Sequence, residues 1–415
     1  HSSVSPVGVE LSPDGVKLLQ LRRRKGRYEV VSTAKAPLEA ASLREALAHD
    51  DSAQDANVAA ERRLAAAASS ADANAEDGQF ELPHWAQLVS NAVGVALNAG
   101  GFLGSRCTVA LSEEFLRVRS VRQPKMAPDE AARAIRLEAR DRLGFPEEAE
   151  VEVDWIEAGE VRQGEEIRDE VILVGAPTAA LAAIAEALES AGLSATSLEP
   201  AFLAQARALG RTLRRAQDAS TVRLIIDVGR RQTGVVVTKG TNVAFYKALD
   251  IGGEQLDEAA AKRLGASVET VADLRRQRMR SRPEERDPRV DRAMYEGIRP
   301  VMLQLAQEAA LCLRYYSVTF FGQRPVEALL VGDEAREPGL VDAVAETLSV
   351  PTAVAKPLDG VALDHMGVDC DRRSELAEWT TATGAALRDL ATGSQRGDEG
   401  DALSKEAGAP GREAA

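Results

Sequence analysis

Glu10 and Asp227 are carboxylates at matching positions of a strand–turn–strand unit that the chain contains twice, about 217 positions apart. The first copy reads Val7-Gly8-Val9-Glu10-Leu11-Ser12-Pro13-Asp14-Gly15-Val16-Lys17, and the second reads Leu224-Ile225-Ile226-Asp227-Val228-Gly229-Arg230-Arg231-Gln232-Thr233-Gly234. In each copy the acid stands where the first strand ends. Two such hairpins folded face to face, each offering turn N–H groups and an acidic tip, would clamp the phosphates and metal of a nucleotide. Taken singly, either acid also reads as a turn carboxylate that accepts backbone N–H bonds, and Lys17 as the solvated face of a strand.

Other constellations are missing. His1, His49, His84 and His365 are scattered, with none in H-E-x-x-H spacing, and the chain has no G-x-S-x-G, no Walker loop and no G-x-G-x-x-G after a strand. No catalytic residue is assigned. Cys107, Cys312 and Cys370 form no C-x-x-C pair, so neither a disulfide framework nor a zinc site is indicated, which suits a reducing compartment.

The elements that must position these residues can be read from periodicity. Alternating apolar residues around Ser12-Pro13-Asp14-Gly15 predict a hairpin over 6–31, and a second hairpin is expected over 222–238. Helices are predicted over 85–98, from about 128 to 143, over 179–191, 201–209 and 301–316, and after Pro338-Gly339; strands are predicted over 107–111, 115–121, 151–156, 171–174, 243–249 and 328–331. Gly252-Gly253 precedes a helix, and two glycines there would free its first N–H groups to approach an anion.

Composition sets the outer bounds. The chain has 415 residues, 45% of them apolar and 28% charged, enough for two folded domains. A net charge of −14 argues against a general nucleic-acid role, because phosphate binding needs concentrated Lys and Arg. The basic runs Arg22-Arg23-Arg24-Lys25 and Arg275-Arg276-Gln277-Arg278-Met279-Arg280 read as solvated faces without a function, and the charged stretch 275–292 as an exposed excursion. The segment 40–78, rich in Ala, Ser, Asp and Glu, can bury little and is expected to be a mobile insertion. No apolar run reaches the roughly 18–20 residues of a membrane span, and no signal peptide is recognisable, so a cytoplasmic protein is expected.

The order of these pieces resembles a known family. Val7-Gly8-Val9-Glu10-Leu11-Ser12-Pro13-Asp14-Gly15-Val16-Lys17, Arg136-Leu137-Glu138, Leu143-Gly144-Phe145-Pro146, Asp227-Val228-Gly229, Gly252-Gly253-Glu254-Gln255-Leu256 and Pro338-Gly339-Leu340 together resemble PilM. PilM proteins are actin-like cytoplasmic proteins of type IV pilus assembly, related to the division protein FtsA and to the cytoplasmic part of the secretion protein GspL. The resemblance covers most of residues 6–392. It implies an α/β fold of duplicated actin-like (ribonuclease H-like) domains around a central cleft, with a small inserted α/β subdomain. The corresponding division is domain I over 1–111, the inserted module over 112–167, the return of domain I over 168–216, domain II over 217–391 with a subdomain at about 257–300, and a disordered tail over 392–415.

For function, the resemblance implies a scaffold of a type IV pilus or type II secretion platform. It would lie at the inner face of the inner membrane and bind the N-terminal cytoplasmic tail of a PilN-like single-span protein. The implied cofactors are ATP and Mg2+. Glu10, Ser12 and Lys17 would form the first phosphate loop, Asp227, Gly229 and Thr233 the second, and Gly252, Gly253 and Gly332 the nucleoside side, with Asp227 and, through water, Glu10 on the metal. The family pattern in the first loop is Asp-x-Gly, where this chain has Glu10-Leu11-Ser12. The extra methylene of Glu10 would disturb an octahedral magnesium site, and a Cβ at Ser12 would cost about 1–2 kcal/mol if φ there were positive. Asp333 and Glu334 after Gly332 put two carboxylates beside the polyphosphate. Degraded nucleotide binding and weak or lost ATPase activity follow as expectations. An active actin-like ATPase or sugar kinase is the alternative. An FtsA-like division protein ranks third, since the tail has no basic and apolar face for a membrane.

Overall fold

A computed structural model describes residues 2–38, 83–163, 166–320, 322–367 and 370–392; the expected insertion at 40–78 and the tail beyond 392 lie outside them. The chain opens with β1 (Ser2–Val4), β2 (Val7–Ser12), β3 (Gly15–Arg24) and β4 (Arg27–Pro37). Helix α1 (His84–Ala99) and β5 (Arg106–Leu111) follow. Next come β6 (Arg117–Pro124), α2 (Pro128–Arg142), β7 (Val151–Gln163) and β8 (Glu166–Pro177), then α3 (Thr178–Ser190), β9 (Ser194–Pro200) and α4 (Ala201–Gly210).

The second half comprises β10 (Val222–Val228), β11 (Thr233–Lys239), β12 (Asn242–Leu249), α5 (Gly253–Leu264), α6 (Val268–Arg280), α7 (Pro288–Thr319), β13 (Glu327–Val331), α8 (Leu340–Leu348), β14 (Thr352–Val354) and α9 (Thr380–Thr392).

The repeat read in the sequence is a repeat in space. One sheet runs β4-β3-β2-β5-β9, with β1 pairing the far end of β3, and the other runs β12-β11-β10-β13-β14. Both have two antiparallel junctions followed by two parallel ones. Glu10 lies opposite Lys17 and Ala110, and Asp227 opposite Gly234 and Val331, so the two acids occupy the same node of each sheet.

Helices α1 and α3 cover one face of the first sheet, with Val89, Val93, Ile184 and Leu188 on Val9, Leu11 and Leu18. Its other face takes α9 and the turn before it: Trp379, Ala382 and Leu387 meet Leu19, Leu21 and Val30. Helices α5, α7 and α8 cover the outer face of the second sheet. Between the sheets α4 and α9 cross closely, and a Cβ added to Gly384 would lie 1.7 Å from the Ala204 carbonyl oxygen.

Strands β6, β8 and β7 form a separate three-stranded sheet with α2 on one face, held by Ile135, Leu143, Phe145, Val171 and Leu173. Its other face places Ile172 and Val174 against Phe202 and Tyr246. The module thereby spans both domains. Its expected end at 167 falls inside β8, because β8 is one unbroken antiparallel strand as far as Pro177.

Two expectations need correction. The stretch 275–292 is exposed only in part: it contains the end of α6 and the start of α7, with Arg275, Arg278 and Met279 buried. Helix α7 begins well before 301 and runs through Pro300, because Met294 and Ile298 are buried in the second domain's core and hold the turns on the N-terminal side of the proline. Among the described residues no helix is long and apolar enough to cross a membrane.

Candidate functional site

Strand register brings the two hairpin tips to one crevice. Lys17 Nζ on β3 donates to Glu10 Oε1 at 2.9 Å and to the Asp333 carboxylate at 3.0 Å, tying the first domain to the turn after β13. The Lys17 side chain is only 11% exposed and that of Glu10 16%. Asp227 Oδ2 accepts from Gln205 Nε2 on α4 at 2.5 Å, and the same amide donates to Thr381 Oγ1 on α9 at 3.1 Å. Glu113, in the turn after β5, also faces Asp227.

Charge at this point is unbalanced, since one ammonium serves Glu10 and Asp333 while Asp227 has only an amide. Burial pushes the Glu10 carboxyl up to about 7, with Lys17 pulling it back and Asp333 and Asp227 adding to the rise. Burial likewise raises Asp227 to about 7, helped by Glu113 and opposed by the Gln205 hydrogen bond. Burial works against the Lys17 charge too, yet Asp333 and Glu10 more than offset it and hold the ammonium above its usual range. Lys17 therefore stays charged while the carboxylates compete for it, and a proton remains on the buried acids near neutrality. Glu10 Oε2 is buried without a hydrogen-bond partner.

The loop residues assigned by resemblance are largely satisfied from within. Ser12 Oγ donates to the Gly15 carbonyl at 3.3 Å, and its φ is not positive, so the strain feared at that position is absent. Thr233 is fully buried, with its hydroxyl on the Ile251 carbonyl at 2.6 Å. The N–H groups of Gly253 and Glu254 donate to the carbonyls of Gly229 and Arg230 at 3.0 and 2.8 Å, and that of Gly252 to Gln255 Oε1 at 2.8 Å. The start of α5 thus spends its free donors on the adjoining β10–β11 loop.

Gly332 has φ +92, and a Cβ there would lie 2.3 Å from Asp227 Oδ1, so glycine is what lets the acid pack against this turn. A Cβ on Gly253 would meet Glu334 Oε1 at 2.4 Å. The Glu334 carboxylate therefore lies between the two glycine turns.

Glu334 belongs to a buried ion cluster whose arginines, Arg275 and Arg278, are expected from sequence on a solvated face. Arg275, 1% exposed, donates to Asp257 at 2.7 Å, Glu334 at 2.6 Å, Glu337 at 2.8 Å and the Gly253 carbonyl at 3.2 Å. Arg230 joins Asp257 at 2.9 Å, and Arg278 joins Asp291 at 2.5 Å and also Glu337. Carboxylates from α5 and from the turn before α8 are buried here, and only a buried guanidinium with several donors can satisfy them together.

Gln205 and Glu113 complete the crevice without being expected there, whereas Asp333 lies beside it as its sequence position implies. Asp333 had a signal in its position next to Gly332. Gln205, in an Ala-rich helix, had none. Among the described residues no group of three or more His, Cys, Asp or Glu side chains is arranged to hold a metal ion.

A family model described as type IV pilus assembly protein PilM matches residues 89–390. The chain belongs to the PilM family. A solved PilM-PilN type IV pilus biogenesis complex is 21% identical, covers 92% of this chain and 98% of its own, and superposes with a TM-score of 0.65. The ethanolamine utilization protein EutJ from Carboxydothermus hydrogenoformans is 14% identical over 93% of this chain and 89% of its own, with a TM-score of 0.46. Component A of the Acidaminococcus fermentans (R)-2-hydroxyglutaryl-CoA dehydratase is 11% identical over 93% and 97%, with a TM-score of 0.35. The likeness to the PilM structure is one of fold: actin-like, α/β, two duplicated domains around a cleft, with a small inserted module. The other two are too distant to add to it.

Proposed function

We propose that this PilM-family chain is a cytoplasmic scaffold of a pilus or secretion-like platform, peripheral to the inner membrane. It grips the N-terminal tail of a PilN-like single-span protein in the groove between the first domain and the inserted module. The observation that carries this reading is a groove of about 350 Å³ between β7 and the first sheet, with Leu111, Leu116, Leu181, Leu198 and Leu203 in its walls and the Glu199–Arg388 ion pair at one side. Strand β7 is the edge of its sheet. The Trp155 N–H is held by the Asp154 carboxylate at 2.8 Å instead of by β8, which marks the open edge, and alternation gives Val153 the same outward backbone. An extended peptide can add there as a further strand, its apolar side chains entering the leucine-lined space.

The crevice supports a degraded nucleotide site. Its one cation is shared by two carboxylates, the first N–H groups of α5 are spent, and the Glu334–Arg275 pair lies between the glycine turns that would flank a nucleoside. ATP with magnesium does not fit this set of donors. A polyphosphate would have to displace Asp333 from Lys17 and lie beside Glu10, Asp227 and Glu113.

The test is a titration of the full chain with a labelled peptide from the N-terminal tail of a PilN-like protein. Val153→Pro removes an outward N–H from an edge strand, where proline leaves the ladder to β8 intact, and should weaken binding at least about tenfold, or roughly 1.4 kcal/mol. Absence of peptide binding, or equal binding by the variant, sinks the proposal. Titrating Mg-ATP should give no saturation below the millimolar range. Tight binding with turnover lost in Asp227→Ala would instead establish the active ATPase reading.

A further inference from the structure

Along α4 and the connection that follows it, the molecule has a recess of about 610 Å³ whose lining includes Arg23, Arg207, Arg211 and Arg214 and no carboxylate. In a chain of net charge −14 this is an unusual concentration of one sign. Arg207 is already matched, donating to both oxygens of Glu199 at 2.6 and 2.7 Å. Arg23, Arg211 and Arg214 form no salt bridge among the described residues. Arg211 reaches only the carbonyls of Pro357 and Asp359, at 3.3 and 2.6 Å, and its Nε is buried with no acceptor.

The hairpin beside the recess repeats the imbalance. Lys25 and Gly26 both have positive φ, 51° and 77°, the two-residue turn that joins twisted strands most tightly. Directly before and after it, Arg24 is paired across the ladder with Arg27, a like-charge pair that costs stability. Tyr28 faces two guanidinium groups, with the carbons of Arg23 and Arg211 each 5.9 Å from its ring centre. Leu203, Ala206, Leu213 and Leu387 add an apolar wall. Burial lowers the Arg211 pKa and Arg214 lowers it further, with Tyr28 and then Asp359 only partly compensating.

We propose that this recess binds a phosphate-bearing anion. Arginine is the side chain whose planar fork matches phosphate oxygens, and three guanidiniums that form no ion pair among the described residues suit an oxyanion more highly charged than a single carboxylate. The recess is formed by the β3–β4 hairpin of the first domain, the connection after α4, and Thr241 at the β11–β12 turn of the second. A phosphate held there contacts both domains at once. It can be a soluble phosphorylated compound or the headgroup of an anionic phospholipid, whose apolar part would run along the leucine wall.

The full chain is tested in two arms. In one, inorganic pyrophosphate is titrated by calorimetry. In the other, the protein is floated with phosphatidylcholine vesicles, with and without phosphatidylglycerol. Arg23→Glu with Arg214→Glu reverses two charges that form no ion pair among the described residues, Arg23 lying over the Tyr28 ring and Arg214 donating to the Arg211 carbonyl at 3.4 Å, and should weaken whichever probe binds by at least about tenfold while the far-ultraviolet spectrum of the fold is retained. A control reversing Arg292 and Arg299 on α7 changes net charge equally and should leave binding intact. Saturation by pyrophosphate supports a soluble ligand, and flotation that requires phosphatidylglycerol supports a headgroup. The proposal is overturned if neither probe binds, if the recess variant binds as the parent does, or if the control loses as much.

Discussion

Arg275 holds three buried carboxylates and one carbonyl, so its loss is far costlier than the loss of a surface charge. Arg275→Ala leaves Asp257, Glu334 and Glu337 without their shared partner and should lower the unfolding free energy by about 3–5 kcal/mol in urea titrations. Adding Glu334→Gln and Glu337→Gln should restore a large part of it, because the cost is that of uncompensated charge. No recovery would mean that the cluster acts through packing alone.

At this scale the sequence was legible where backbone pattern set the position of a residue, and illegible where partners came from afar. Glu10 and Asp227 could be paired because hairpin symmetry fixes both. Arg275 was misassigned because a run of arginines reads as solvated. A signal was nonetheless present: the buried positions Val271, Ala272, Arg275, Arg278 and Met279 keep one helical stripe, and two arginines lie on it. Which acids would meet them depended on the turn before α8, far along the chain.

Among the elements, α4 and α9 cross with backbone against backbone at Gly384 and Ala204. Gly384→Ala puts a methyl group where the Ala204 carbonyl oxygen would be 1.7 Å away, so the helices must part. A cost of about 1–3 kcal/mol is expected, read as a lower melting temperature, whereas Gly94→Ala on α1, with open space at its Cβ, should cost nothing. Elements with a clean period were readable to within a few residues, as in α3 and β5. The through-running of α7 past Pro300 was not, because the tertiary core of the second domain outweighs the local preference of proline.

For the molecule as a whole, the crevice makes stability depend on pH. Unfolded, Glu10 and Asp227 lose their protons near pH 4; folded, they do so at about 7. Across that interval the folded state binds protons that the unfolded state has released. Stability is therefore greatest on the acid side and falls as pH rises through about 7, by at most about 1.4 kcal/mol per pH unit for each group. The melting temperature should drop between about pH 5.5 and pH 8, and the drop should shrink in Asp227→Asn. An unchanged slope in that variant would remove Asp227 as the source.

The duplicated architecture was legible because two similar strand patterns recurred in one chain, while the composition of the space between them was not. Whether a crevice is open to a ligand or filled by its own side chains is decided by residues such as Glu334 and Arg275, whose neighbours are set only once both halves are packed.

Helix α9 shields Leu19, Leu21 and Val30 of the opening sheet, although it is contributed by residues 380–392. While the ribosome is still translating the second half, that sheet presents a bare greasy side to solvent. The opening sheet cannot bury that side in the order in which it is made, and has to wait for residues 380–392 to complete its packing.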